Sequence, residues 1–262
     1  MKAAPFELAR PANLADAITL LAAEPGGARV LAGGQSLGPM LNLRLAQPRL
    51  LVQVNRLPEL AGVATDADTV TIGAGVTHAA IADGLVSDIG HNVLARVAGN
   101  IAYRAVRNRG TIGGSLCHAD PAADWVTVLI ALDAIAIVQG PSGTRSLPIG
   151  EFVPGAFRTA LVPGEILRAV RVPRLREAAR WGYVKACRKP GEFAHAMAAV
   201  LRTAQTCRMV IGALGGRQLL LQGAAATIDG AAQALQAMDG LDRVQQHMQL
   251  TTLRRAMAEA DA

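Results

Sequence analysis

Two short glycine-rich segments, both read as loops, carry the chemistry this sequence most directly suggests. The first is Ala32-Gly33-Gly34-Gln35-Ser36 and the second is Thr111-Ile112-Gly113-Gly114-Ser115. Each follows apolar sequence and closes on a small hydroxyl residue. Paired glycines remove Cβ atoms and permit positive φ, so successive backbone N–H groups can turn toward one point. A concave row of N–H donors binds anionic oxygens without a formal positive charge. Either segment alone reads first as an ordinary tight turn, because Gly-Gly is common turn punctuation. Two of them, separated by a long stretch of mixed helix and strand, predict two halves of one site that grips a diphosphate from both sides.

The other chemistry-bearing residues are dispersed. Cys117, Cys187 and Cys207 show no metal-ligand spacing. Three thiols cannot supply the four thiolates of an iron–sulfur cluster, and they read as reduced, cytosolic cysteines. The five histidines include no H-E-x-x-H pair. No metal site is predicted. The net charge is +6, but no Lys/Arg block is interleaved with aromatics, which argues against nucleic acid. Such a surface suits an acidic partner or an anionic cofactor. A dinucleotide fingerprint is missing too. Gly73-Ala74-Gly75 lacks its third glycine, and no P-loop lysine is present. The diphosphate is therefore expected to belong to a flavin held by a different architecture.

The elements that must position these segments follow from periodicity. Asn13 is a plausible cap for a helix with Leu14, Ala17, Ile18 and Leu21 on one face. Ala28 to Ala32 reads as a strand that delivers the first glycine segment, Ser36 to Leu45 as a short helix, and Leu50 to Val54 as a strand. Thr69 to Gly75 alternates, and Thr77 caps a helix over Ala79 to Leu85. A further helix runs from Asn92 to Gly99, and a polar arginine-rich stretch, Tyr103 to Gly110, leads into the second glycine segment. Asp124 to Leu132 reads as a buried helix, Ala134 to Val138 and Ile166 to Val172 as strands. The charged run Arg174 to Arg180 reads as a linker. Strands at Gly182–Arg188, Ala196–Arg202 and Cys207–Ala213 precede two helices, Gly223 to Met238 and Leu241 to Ala260. The chain is expected to be α+β, in three units at 1–58, 59–175 and 176–262. Its 262 residues are 51% hydrophobic, ample for one large core or two to three small ones. No apolar run reaches the ~18–20 residues of a membrane helix, and Met1 to Glu7 lacks a signal-peptide core. A cytoplasmic protein is the simplest expectation. Aromatics are only 3%, so any stacking on a flavin rests on very few side chains.

Ala32-Gly33-Gly34-Gln35-Ser36-Leu37, followed by Pro39-Met40, Asn42-Leu43-Arg44 and Gln47-Pro48, resembles the FAD-binding medium subunits of molybdenum hydroxylases. So does Val106-Arg107-Asn108-Arg109-Gly110-Thr111-Ile112-Gly113-Gly114, continuing to His118-Ala119-Asp120-Pro121-Ala122-Ala123-Asp124. These are relatives of the carbon monoxide dehydrogenase medium subunit and of the flavin domain of xanthine dehydrogenase, and the likeness covers nearly the whole chain in register. It implies a vanillyl-alcohol-oxidase-like (PCMH-type) FAD-binding fold of two α/β subdomains, plus a C-terminal α+β domain of the CO dehydrogenase flavoprotein type. It implies FAD on this chain, extended between the subdomains, with molybdopterin and two [2Fe-2S] clusters on a large and a small partner subunit. A dimer of heterotrimers and an external electron acceptor complete the picture.

Residue by residue, the resemblance implies that both glycine segments contact the FAD diphosphate, with Val30 and Leu31 lining the first. It places Ile101 at an apolar contact to the cofactor and Asp124 at its sugar-phosphate region. Leu167 falls where an apolar residue meets the flavin ring, Lys185 where a lysine reaches the isoalloxazine, and Phe193 where a bulky side chain covers one ring face. Plainer readings stand beside these. Asp124 equally suits a helix cap, Lys185 a solvated strand position, and Phe193 ordinary core. Arg107 and Arg109 suit structural pairs as well as phosphate. His118 reads as a hydrogen-bonded loop residue before a catalyst.

Overall fold

The structure is a computed structural model that describes residues 2–262. The chain opens with β1 (Glu7–Ala9), α1 (Leu14–Ala23), β2 (Ala28–Leu31), α2 (Leu37–Asn42) and β3 (Leu50–Gln53). The three strands form a parallel sheet in the order β1-β3-β2. Asn13 caps α1 as expected, its side-chain oxygen accepting from Asp16 N at 2.9 Å. Leu14, Ala17, Ile18 and Leu21 turn inward onto Val52, Val54, Leu57 and Leu60. The expected helix Ser36 to Leu45 stops at Asn42, because Arg44 takes a left-handed φ of 57° that ends the turn.

The middle of the chain contributes α3 (Pro58–Ala61), β4 (Val63–Thr65), β5 (Thr69–Gly73), α4 (His78–Ala82), α5 (Val93–Gly99) and α6 (Arg104–Arg107). It continues with α7 (Ile112–His118), α8 (Asp124–Ala131), β6 (Ile135–Gly140), β7 (Gly143–Pro148), α9 (Ile149–Phe152) and β8 (Ile166–Pro173). Its five strands make an antiparallel sheet, β4-β5-β8-β6-β7. One expectation is corrected here: the second glycine segment is not a loop. Thr111 is the N-cap of α7, and Gly113 and Gly114 lie inside that helix. The arginine-rich stretch before it also holds a helical turn, α6. Asp124 is likewise not a cap; it occupies the first turn of α8 behind Ala123.

The remainder comprises β9 (Arg180–Ala186), β10 (Ala196–Arg202), β11 (Cys207–Gly212), β12 (Leu219–Gln222), α10 (Ile228–Gln236) and α11 (Arg243–Asp261). Its antiparallel sheet runs β12-β11-β10-β9. Ala198, Val200, Met209 and Ile211 face α10 and α11, while Ala199, Leu201 and Val210 join the core around α8. A sheet covered on both faces needs apolar residues at consecutive positions rather than alternating ones, which is why β10 reads Ala-Met-Ala-Ala-Val-Leu. All eight residues of α8 are buried, for the same reason: it lies between the C-terminal sheet and the core of the five-stranded one. α11 starts later than its periodicity suggests because Asp242 and Gln245 form a capping box. Arg174 to Arg180 is tied down, with Leu175 N donating to Ile89 O at 2.6 Å.

Candidate flavin-binding site

β2 delivers the first glycine segment to the edge of its sheet. Gly34 takes φ +72°, a conformation L side chains rarely adopt. Among the described residues, no acceptor meets the backbone N–H groups of Gly33, Gly34, Gln35, Ser36 or Leu37. Gly33 is buried, where backbone donors are normally paired; with the more accessible donors that lead into the first turn of α2, it makes a run of free N–H groups, a nest suited to anionic oxygens. The Gln35 side chain folds back to donate to Gly33 O at 3.3 Å, leaving the N–H groups clear. Leu31 lies beneath the turn, its Cδ1 3.4 Å from where a Cβ on Gly34 would stand. Val30 is half-buried behind it.

The second glycine segment sits directly against the first. A Cβ on Gly33 would fall 2.0 Å from Arg109 O, and one on Gly114 would fall 4.0 Å from the Ala32 Cβ. Yet its N–H groups are already spent. Ile112 N donates to Val76 O and Gly113 N to Ala74 O, both at 3.0 Å. Gly114 N donates to the Thr111 side chain at 2.9 Å, and Ser115 N to Thr111 O at 3.0 Å. The structure therefore does not bear out a symmetric grip by two N–H nests. The second segment faces the first with the side-chain-free backbone of α7 and the half-buried Ser115. Gly113 is needed for approach, since a Cβ there would stand 2.6 Å from Ala74 O.

His78 supports this joint. Its backbone N donates to Gly110 O at 2.9 Å, and its ring lies against Gly110. Nδ1 accepts from Trp125 Nε1 at 3.1 Å. Burial, reinforced by the nearby Arg107 charge, pulls its pKa down to about 4, so the ring is neutral. Arg107 resolves to a structural role: it donates to the carbonyls of Ile101 and Ala102 at 3.0 and 2.8 Å. Arg109 is exposed and has no ion pair among the described residues.

A second group gathers where β9 meets α5 and α8. Lys185 Nζ lies 2.9 Å from Asp124 Oδ1, both side chains more than nine-tenths buried. Lys185 is thus not a solvated strand residue; it also donates to Asn100 O at 3.0 Å. Ile101 follows Asn100 and bridges to Gly191, two residues before Phe193. A cleft of about 280 Å³ opens here, lined by Asn100, Tyr183, Lys185, Cys187, Pro190 and Gly191. Phe193 is 60% exposed, so it is not ordinary core. Leu167 stands apart: at 2% exposure it belongs to the central core, and its side chain offers no surface to a ring. His118 ends α7 and packs on Phe157, ring centroids 5.4 Å apart. Cys117 presents surface, yet burial pushes its thiol up to about 12. Among the described residues, no group of His, Cys, Asp and Glu could hold a metal ion, and no helix is long and apolar enough to cross a membrane.

A nest of N–H donors, a glycine-bearing wall against it, and an exposed Phe193 suit a cofactor with a diphosphate and a flat ring. Residues 4–175 match the family described as the FAD binding domain in molybdopterin dehydrogenase. The chain belongs to the FAD-binding subunits of the molybdenum hydroxylase family. It is 36% identical over 258 residues to the 6-hydroxypseudooxynicotine dehydrogenase complex subunit alpha of Paenarthrobacter nicotinovorans, spanning 93% of this chain and 87% of that one. It is 38% identical over 196 residues to the carbon monoxide dehydrogenase medium chain of Hydrogenophaga pseudoflava, across 75% and 68% of the two. The fold superposes on carbon monoxide dehydrogenase from that organism, in a form lacking the Mo-pyranopterin moiety of the molybdenum cofactor. The TM-score is 0.90 at 31% identity, over 99% of this chain and 98% of the other. This molybdenum hydroxylase flavin subunit is therefore an α+β oxidoreductase component with an FAD-binding domain. Sequence reasoning missed Tyr183 and Asn100 at its cleft. Tyr183 was legible in one way: it lies two residues from Lys185 on one strand, hence on the same face.

Proposed function

We propose that this chain is the electron-exit subunit of a heteromeric molybdenum hydroxylase. It takes electrons from [2Fe-2S] clusters on a small partner subunit and passes them through FAD to an external acceptor. A large molybdopterin-binding subunit carries the substrate chemistry, in a cytoplasmic dimer of heterotrimers. The observation that carries this reading is the run of unpaired N–H donors from Gly33 to Leu37, abutting the second glycine segment. Bound FAD supplies a centre that exchanges electrons singly or in pairs. The protein's part is to hold, orient and shield it. In this reading the Gly33–Leu37 nest holds the diphosphate. Ala32, Thr111, Ile112, Gly113, Gly114 and Ser115 shape the facing wall, and Val30, Leu31 and Ile101 supply apolar contacts. Asp124 takes a hydroxyl of the sugar chain, Lys185 pairs with Asp124 and reaches the isoalloxazine, and Phe193 covers one ring face. The units 1–58, 59–175 and 176–262, one sheet each, are the proposed subdomains.

The chain purified with its partners should be yellow, and acid or heat should release all the colour, since no covalent attachment motif is present. Colourless protein with the fold intact rejects the cofactor assignment; colour retained on the precipitate rejects non-covalent binding. In rapid-reaction experiments Phe193→Ala should slow flavin reduction and leave substrate reduction of molybdenum unchanged. Equal slowing of both phases, or substrate oxidation by the isolated chain, rejects the relay role.

A further inference from the structure

We infer that Tyr183 is a positioning residue of the flavin site, acting through Asp124; the inference rests on the flavin-binding reading above. Tyr183 and Lys185 alternate along β9 and present the same face to α8. Tyr183 Oη donates to Asp124 Oδ1 at 2.7 Å, the same oxygen that Lys185 Nζ approaches at 2.9 Å. Two donors from one strand therefore converge on one carboxylate oxygen. The other oxygen, Oδ2, meets no donor among the described residues, yet it is not among the sealed, unpaired polar atoms. A carboxylate offers about four lone-pair sites, so Oδ2 is the acceptor left for a ligand hydroxyl or N–H.

The tyrosine is itself held at both ends. Its backbone N donates to Glu259 Oε2 at 3.0 Å, and Glu259 of α11 pairs with Arg96 of α5. Burial, then the adjacent Asp124 carboxylate, raises the phenol well above its ordinary range, so the hydroxyl keeps its proton and remains a donor. Without that hydroxyl, Oδ1 retains only the lysine. An ammonium is a compact point charge on a flexible stem that either carboxylate oxygen can accept. The carboxylate is then free to rotate, and the direction in which Oδ2 is offered is no longer fixed. The C-terminal domain thus reaches into the flavin site through the orientation it imposes on Asp124.

The test is an FAD titration of the full chain, with the subunits it is purified with, followed by flavin fluorescence. Tyr183→Phe removes one oxygen and should raise the Kd for FAD about tenfold, in the range expected for one hydrogen bond to a charged group. Asp124→Ala should raise it by at least as much. In the Asp124→Ala background Tyr183→Phe should add no more than about twofold, a non-additivity that a merely structural tyrosine would not show. Wild-type affinity in Tyr183→Phe, or an undiminished effect in the Asp124→Ala background, overturns the inference. Should Tyr183→Phe fail to fold, 3,5-difluorotyrosine at position 183 keeps the hydroxyl but ionises at lower pH. The Kd should then rise with that ionisation, while the wild type stays flat over the same range; equal profiles overturn the inference. A wild-type chain that binds no FAD instead overturns the flavin reading itself, so the two failures are told apart.

Discussion

The two glycine pairs look alike in sequence and do different work. At Gly33-Gly34 the backbone turns through φ +72° and leaves five N–H groups without a protein acceptor. At Gly113-Gly114 the backbone is helical, and every N–H from Ile112 to Ser115 is already donated within the protein. The first pair exposes donors; the second removes side chains, so that α7 can press against Ala74 and Ala32. A Gly-Gly dipeptide is thus ambiguous between an anion nest and a close-packing joint. Only an account of where each backbone hydrogen bond goes separates the two.

The comparison breaks most visibly at Gly113. Gly113→Val drives a Cβ to 2.4 Å from the Ala74 Cβ and 2.6 Å from its carbonyl oxygen. The expected cost is about 4 kcal/mol of folding stability, with FAD lost as a consequence. Denaturant unfolding checks it; a variant that is stable but flavin-free would mean that Gly113 contacts the ligand directly.

The joint beneath the second pair should also respond to acid. His78 is held neutral, with a pKa of about 4 against an ordinary 6.5. The unfolded chain therefore takes up this proton first as pH falls. The contribution is complete above pH 6.5 and lost progressively toward pH 4, amounting to something on the order of 3 kcal/mol. His78→Gln should show a flatter stability profile over that window. Parallel curves for variant and wild type would remove His78 from the account.

Gly34 sharpens the other side of the comparison. Its Cβ would meet only Leu31 Cδ1, at 3.4 Å, so the obstacle is φ rather than space. Gly34→Val should cost about 2 kcal/mol of strain and abolish FAD binding. Gly34→Asn, a residue that tolerates the left-handed region, should recover most of both. Equal loss in the two variants would show that bulk, not backbone conformation, is decisive. The smallest effect is expected at Thr111, whose side chain caps α7 at Gly114 N. Thr111→Ala should lower stability by about 1 kcal/mol and barely alter FAD affinity. A large affinity loss would return the second segment to direct diphosphate binding.

Much of the scaffold was legible because the sequence repeats it locally. The cap at Asn13, the apolar stripe of α1, and the largely apolar runs of α8 and β10 each follow from periodicity and burial. Shorter elements were not legible. β1 and β4 are three-residue strands, too brief for alternation to register, and exist only because a neighbouring strand pairs with them. α7 was hidden by its glycines, which are poor helix formers; tertiary contact with Ala74 and the Thr111 cap override that preference.

The amino-acid sequence by itself determined the α+β class and the two glycine segments as the chain's most informative chemistry. These depend on residue type and near-neighbour spacing. Tertiary structure alone decided which glycine pair keeps its donors free, that Leu167 is spent on the core, and that Asp124, Tyr183 and Lys185 share one carboxylate oxygen. Each of those depends on a partner far along the chain: Arg109 for Gly33, Ala74 for Gly113, β9 for Asp124. A hydrogen bond has one destination, and that destination is set by packing, which no local pattern encodes.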